Sequence, residues 1–473
     1  MTLQGRRPGD RRLRVEVAKP TEYRVSPTKR VARPRSPAAV LVIGFAVVIA
    51  IGAVILTLPI ASASGQWTPI LDALFTATSA VCVTGLVVLD TGTYWGPFGQ
   101  AVLLVLMQVG GFGFMTGSTL LFILLGQRIG LGDRITAQAT TGATDLGDVR
   151  TVIRRAAAFT LVVEGIGAAI LTMAFLIGQD EPITQAVWWG VFHAVSAFNN
   201  VGLDLFGGFR SLSSVAGDPV ILATFGLLIL LGGLGFAIVG DAVTKRRWHR
   251  FTLETKIVLL TTAAILVVGT FALTLFEWSN PATLGAYPPA VRPLHALFET
   301  TTLRTAGFSS MPTGSLLEPT LVVIIAMMFI GGASGSAAGG IKVNTFAVLL
   351  VAIVSTVQGR PQPQAFGRRI PNQLVYRGLS VALLAIAIAF MVALGLAAFA
   401  EAPFLALLFE AISALGTVGA STGITPDLEP TARLLLIFAM FAGRLGPLTL
   451  VLALATRQRT WRHRPAVESM RIA

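Results

Sequence analysis

Charge is scarce in this sequence. Of 473 residues only 12% are Asp, Glu, Lys or Arg, against 54% hydrophobic, and no soluble globular class has that balance. Cysteine is scarcer still. The lone Cys82 excludes an intramolecular disulfide and a cysteine-rich metal site. Nothing has the form of a nucleotide-binding loop, a metal-ligand cluster or a catalytic triad. No paired carboxylates or histidines mark a cleft, so a membrane enzyme is disfavoured. The Gly-x-Gly pairs at Gly111 and Gly113 and at Gly233 and Gly235 lie inside apolar runs, where such glycines are packing residues more often than phosphate cradles. A cleavable signal peptide is not expected either. The first apolar run, Ala38–Ile60, is too long for one and follows a long basic tail.

What the chain has is apolar length and repetition. Phe75 to Ser79 leads to Val83-Thr84-Gly85; Phe192 to Ser196 leads to Asn200-Val201-Gly202; Phe298 to Thr302 leads to Thr305-Ala306-Gly307; Phe409 to Ser413 leads to Thr417-Val418-Gly419. The gap from Phe to Gly is ten residues in copies one, two and four and nine in copy three. Each copy sits between two long apolar segments. The first members are Ala38–Ile60, Val152–Ile177, Ile257–Phe276 and Val375–Ala400; the second are Phe98–Leu125, Val220–Val239, Thr320–Val354 and Thr431–Ala455. The long segments can cross a bilayer, while the roughly 12-residue stretch before each glycine is too short to span and fits a re-entrant helix. The expected fold is an all-α polytopic membrane protein with eight full spans. Four tandem helix–pore-helix–filter–helix repeats would surround a pseudo-fourfold pore.

The divisions follow from this reading. Residues 1–37 are a basic tail, 38–126 repeat one, 150–244 repeat two, 253–356 repeat three with an intramembrane loop, 374–457 repeat four, and 458–473 a C-terminal tail. Lys and Arg number 36 against 23 acids, a formal net charge of +13. They gather in the tails and in the linkers between repeats, whereas acids such as Asp90, Asp180, Glu181, Glu277, Asp427 and Glu429 lie beside the glycine motifs. The positive-inside rule places both termini and all linkers in the cytoplasm and the glycine loops near the outer face. The charge then reads as topology and contact with anionic membrane lipids, not as nucleic-acid binding, because no folded basic domain carries it.

Non-helical backbone at membrane depth is tolerated where it lines a watery path or is buried in protein. Glycine allows successive carbonyls to point the same way, and a ring of such loops can replace the water shell of a bare cation. The expected filter is therefore Val83, Thr84, Gly85, Asn200, Val201, Gly202, Thr305, Ala306, Gly307, Thr417, Val418 and Gly419, with a bare cation at their carbonyls. For any single glycine, close helix packing would be the better reading; four copies at matching spacing favour the pore. A second candidate is the run Gly331, Gly332, Ala333, Ser334, Gly335, Ser336, then Gly339 and Gly340. Its glycines cannot hold a regular helix well, and an unwound stretch beneath a filter would be a natural gate. Arg444 lies inside an apolar segment, where an unpaired charge is expensive, so it needs carbonyls, a carboxylate or water. His193, Glu299 and Glu410, each following a repeated Phe, are expected to brace the loops or pair with Arg304 rather than touch the ion. Asp72 and His295 should cap or brace their short helices.

These residues resemble the Trk/Ktr/HKT superfamily of potassium transporters, most closely its bacterial Ktr membrane-subunit branch. The resemblance is carried by the four glycine loops, including Leu303-Arg304-Thr305-Ala306-Gly307-Phe308, by Ile330 to Lys342, and by Gly443-Arg444-Leu445-Gly446-Pro447-Leu448-Thr449. It implies potassium uptake across a bacterial plasma membrane. It implies the intramembrane gate with its arginine, a homodimer, a cytosolic nucleotide-binding regulatory ring, sodium as a candidate activator and no covalent cofactor. An alternating-access carrier coupled to sodium or protons is the alternative. Carriers usually show inverted repeats and broken helices in both halves, whereas these four repeats share one orientation.

Overall fold

Prolines and capping residues set where the helices begin. In the computed structural model, which describes residues 37–126 and 147–446, the first helix, α1, is Pro37–Thr57, and the short α2, Ile70–Val81, starts directly after Pro69. Helix α3 is Pro97–Gly126, α4 is Gly147–Gly178, and α5, Ile183–Phe198, follows Pro182. Helix α6, Pro219–Lys245, has Pro at its first turn and Asp218 as N-cap, whose carboxylate accepts from the Val220 N–H at 2.8 Å. Thr252 caps α7, Leu253–Glu277, accepting from the Thr255 N–H at 3.2 Å. Next come α8, Arg292–Thr302; α9, Glu318–Met328; α10, Val343–Val357; α11, Asn372–Phe399; α12, Phe404–Gly416, after Pro403; and α13, Pro430–Leu445. A two-stranded hairpin, β1 Gln364–Ala365 and β2 Arg368–Arg369, lies between α10 and α11, its turn made by Phe366 and Gly367 at positive φ.

Four described helices are long and apolar enough to cross a membrane: Ile153–Gly178 within α4, Pro219–Lys245, Leu253–Glu277 and Asn372–Phe399. The other apolar helical stretches are shorter, among them Leu41–Thr57, Ile70–Val81, Pro97–Gly113, Glu318–Met328, Val343–Val357 and Phe404–Gly416. The segment expected as Thr320–Val354 is two helices, α9 and α10, parted by irregular chain from Phe329 to Lys342. A second break was not anticipated. Gly235 leaves helical geometry inside α6, at φ 76 and ψ 158, and kinks it. The basic tail expected over residues 1–37 lies outside the described residues except for its last position. So do the linker 127–146, Pro447 to Thr449, the rest of the segment expected to end at Ala455, and the tail 458–473.

Packing follows one rule four times over. The first long helix of each repeat packs on its own short helix: α1 on α2, α4 on α5, α7 on α8, α11 on α12. The helix that ends a repeat then meets the short helix of the next: α3 meets α5, α6 meets α8, α9 meets α12, and α13 meets α2. The order closes on itself. The repeated Phe75, Phe192, Phe298 and Phe409 are all buried at the centre. The opposite faces of the long helices carry exposed apolar side chains such as Leu161, Val267, Phe271, Leu383 and Met391, the pattern of a surface meant for hydrocarbon rather than water.

Candidate functional site

The loops at the C-terminal ends of the four short helices share one pattern of positive φ. The glycines have φ of 91, 89, 73 and 88 degrees at Gly85, Gly202, Gly307 and Gly419, and the residues two before them, Val83, Asn200, Thr305 and Thr417, also have positive φ of 58, 57, 115 and 50 degrees. For a residue with a side chain this region is costly, so its recurrence at four matching places marks a constraint held by the surroundings.

The loops also touch in a closed order. A Cβ added at Gly85 would lie 2.1 Å from the Val201 carbonyl oxygen; at Gly202, 2.3 Å from that of Ala306; at Gly307, 2.3 Å from that of Val418; and at Gly419, 2.0 Å from that of Thr84. Each glycine thus leaves room for the carbonyl of the next repeat, and the fourth returns to the first. All twelve candidate filter residues are buried or nearly so, and they meet around one centre.

The repeated Ser or Thr ties each loop to its helix. The Thr84, Val201 and Val418 N–H groups donate to the carbonyls of Ser79, Ser196 and Ser413, each at 2.8 Å. The Ser79 hydroxyl accepts from the Gly85 N–H at 3.0 Å, and Ser413 accepts from that of Gly419 at 3.1 Å while donating to the Ala420 carbonyl at 2.6 Å. The third loop is one residue shorter. There the Ala306 N–H at 2.7 Å and the Gly307 N–H at 3.2 Å share the Thr302 carbonyl.

A second set of bonds holds the far side of each loop. Glu299 accepts from the Ser310 N–H at 2.6 Å and from the hydroxyls of Ser310 and Ser309. Glu410 accepts from the Thr422 N–H at 2.9 Å and from the hydroxyls of Ser421, Thr422 and Thr425. His193 donates from Nδ1 to the Trp189 carbonyl at 2.7 Å, which leaves Nε2 to accept the Leu205 N–H at 3.0 Å. None of these three pairs with Arg304, whose buried Nε has no partner among the described residues. Asp72 forms an ion pair with Arg433 at 2.5 Å, and His295 meets Ser310 at 3.2 Å while stacking on Tyr287.

The glycine run lies against the ring from the side of the short-helix ends. A Cβ at Gly339 would fall 1.9 Å from Thr417 Oγ1, and one at Gly331 would fall 3.3 Å from Thr305 Cγ2. The run is folded. Gly331 N–H donates to the Ile341 carbonyl at 2.8 Å, Val343 to Gly332 at 3.0 Å, and Ser336 to Ala333 at 3.2 Å. It is also tied outward, with Ala333 and Ala337 N–H donating to the carbonyls of Gly233 and Gly232 on α6. Ser334 and Gly340 lie in the same folded stretch, and Gly335 and Ser336 sit against the kink at Gly235. Arg444, 1% exposed, donates to the Ala337 carbonyl and to that of Gly110 at 2.8 Å. One guanidinium thereby links the run, α13 and α3. Lys342 donates to the Ala338 carbonyl.

Glu164 stands out in the sequence as an ionisable group inside an apolar span, but its partners Gln108 and Asn199 had no signal. The three form a buried amide–carboxyl cluster beside the second loop. They come from positions 108, 164 and 199, and only tertiary packing joins them.

A sequence model of the family described as TrkH, cation transport protein, matches residues 28–462. The chain is 38% identical over 426 residues to Ktr system potassium uptake protein B of Bacillus subtilis, covering 90% of this chain and 94% of that one. It is 34% identical to the potassium/sodium uptake protein NtpJ of Enterococcus hirae, covering 91% and 95%. The crystal structure of the potassium transporter TrkH from Vibrio parahaemolyticus superposes with a TM-score of 0.70 at 20% identity, over 90% of this chain and 86% of that one. That likeness gives the fold.

Proposed function

Because the chain belongs to the TrkH family of cation transport proteins, and is therefore a membrane transporter rather than an enzyme, we propose that it takes up potassium through a filter formed by four backbone loops. The observation that carries this reading is the closed order of Gly85, Gly202, Gly307 and Gly419, each accommodating the carbonyl of the next repeat. A dehydrated cation on the axis would meet carbonyl oxygens from all four, which replace its water at little reorganisation cost. In this reading four repeats supply eight spans in a bacterial plasma membrane, with both termini cytoplasmic. The inside-negative potential drives entry with about 2.3 kcal/mol per charge per 100 mV. The run 331–340 is the gate and Arg444 its tether. A homodimer bound to a cytosolic nucleotide-sensing ring would regulate it. Sodium is proposed as a second cargo or an activator, on the strength of the potassium/sodium uptake protein of Enterococcus hirae. Expression in a host lacking its own potassium uptake should restore growth at low external potassium, and Gly202→Ser should remove the rescue with the protein still in the membrane. Growth that stays potassium-limited with well-expressed wild type would overturn the proposal.

A further inference from the structure

Glu164 lies within α4, in a stretch long and apolar enough to span, and is 6% exposed. Its Oε1 accepts from Asn199 Nδ2 at 2.9 Å and its Oε2 from Gln108 Nε2 at 3.2 Å. Asn199 Nδ2 also reaches Gln108 Oε1 at 3.1 Å and the Val195 carbonyl at 3.0 Å. The cluster joins α3 of repeat one to α4 and α5 of repeat two. Asn199 is the C-cap of α5 and immediately precedes Asn200 of the candidate filter. Its Oδ1 is buried with no donor among the described residues, and it presses on Gly111, where a Cβ would lie 2.0 Å away.

Among the described residues no cation answers this carboxyl. The described part of α3 whose side chains are placed, through Gly113, carries no titratable residue. On α4 itself, Arg154 and Arg155 sit nine and ten residues earlier, roughly 14 Å along the axis. On α5, His193 is engaged by Trp189 and Leu205. On α6, Asp241 and Lys245 pair with each other at 2.6 Å, and Asp218 caps the helix start. Among the described residues the two oxygens of Glu164 are answered by the amides of Asn199 and Gln108 alone, and a carboxyl at membrane depth without such partners is costly.

We propose that Glu164 is the positioning residue for the second filter loop, acting through Asn199. Cys82, Arg304 and Gly416 take the place of Asn199 in the other copies, so the device belongs to loop two alone. The inference rests on the potassium-uptake reading above.

The test uses the full chain in liposomes, with potassium and sodium flux measured at neutral pH. Glu164→Gln, which keeps a side-chain oxygen in reach of Asn199 Nδ2, should keep the wild-type potassium-to-sodium ratio. Glu164→Ala should lower the ratio by roughly fivefold or more, and Gly111→Ala, which drives a methyl into the Asn199 amide, should reproduce that loss. If Glu164→Ala does not fold, Gly111→Ala decides. A Glu164→Gln ratio as low as that of Glu164→Ala, or a wild-type ratio in a folded Glu164→Ala, overturns the proposal. Gly202→Ser is measured alongside. An intact ratio there refutes the filter reading itself, whereas a lowered ratio there with an intact one in Glu164→Ala refutes only the positioning role.

Discussion

Gly202 has φ of 89 degrees two residues after Asn200 at 57 degrees, and the same pair of signs recurs in the other three loops. A side chain at any of the four glycines must bear two burdens, the strained backbone and a neighbouring carbonyl within 2.3 Å of its Cβ. The first alone costs about 1–3 kcal/mol. Gly85→Ser, Gly202→Ser, Gly307→Ser or Gly419→Ser should therefore each reduce potassium discrimination or flux by roughly fivefold or more, read as uptake of potassium against sodium. Glu410 makes a second case. Its carboxylate answers one N–H and three hydroxyls of the segment after Gly419. Glu410→Ala leaves these buried donors unpaired, at about 1–3 kcal/mol for each that stays dry, and should lower the melting temperature in detergent by several degrees. The position of Glu410 just after a repeated Phe was visible in the sequence. Its bonds were not, because the donors lie beyond the turn and only the turn's path brings them back.

Glycine does different work where helices cross. A Cβ at Gly110 would fall 2.1 Å from the Val81 carbonyl, at Gly232 1.7 Å from that of Phe198, and at Gly443 1.9 Å from that of Leu415. Each time the helix that ends a repeat crosses the end of that repeat's own short helix at a glycine. In repeat three the corresponding helix breaks there instead, and Gly331 opens the irregular run. Gly443→Ala should destabilise the protein by about 1–3 kcal/mol, since the obstacle is backbone and cannot turn aside; thermal unfolding in detergent measures it. The run itself is held at Ala337 by Arg444. Losing a charged hydrogen bond removes about 1.5–3 kcal/mol from the held state, and each 1.4 kcal/mol is tenfold in an equilibrium. Arg444→Ala, or a shortened run, should raise isotope flux into liposomes, and unchanged flux in a well-folded variant would make the run structural rather than a gate. The glycine-rich run announced its own irregularity. The kink at Gly235 did not, because what bends α6 there is contact with Gly335 and Ser336, a partner about 100 residues on.

Around the whole molecule the contacts run from repeat to repeat and return, α13 closing on α2. The proposed pore, closed within one chain, would leave the outer faces free for lipid and for a second copy. The proposed dimer should appear as two chains by mass measurement in mild detergent, with flux carried by each. The topology can be read chemically, because Cys82 is buried and the background is nearly silent. Ser64→Cys, exposed in the loop between α1 and α2, should react with an impermeant thiol reagent from outside intact cells. Arg369→Cys, exposed on the hairpin beside Trp248 and Phe366, should react only after permeabilisation. The reverse pattern would invert the proposed orientation.

Composition and repetition were enough to tell that this chain belongs in a membrane, that it is helical and that four equivalent loops exist. Hydrophobic length and the spacing of Phe, Ser and Gly are local properties, and the bilayer leaves few ways to satisfy a backbone. The linear order did not say which carbonyl meets which glycine, that Thr417 faces Gly339, or that Glu164 reaches Asn199. Those pairings join residues from 35 to 335 positions apart, the longest between Thr84 and Gly419. They exist because four short helices end at one centre, and only the packing of the long helices around them decides where that centre lies.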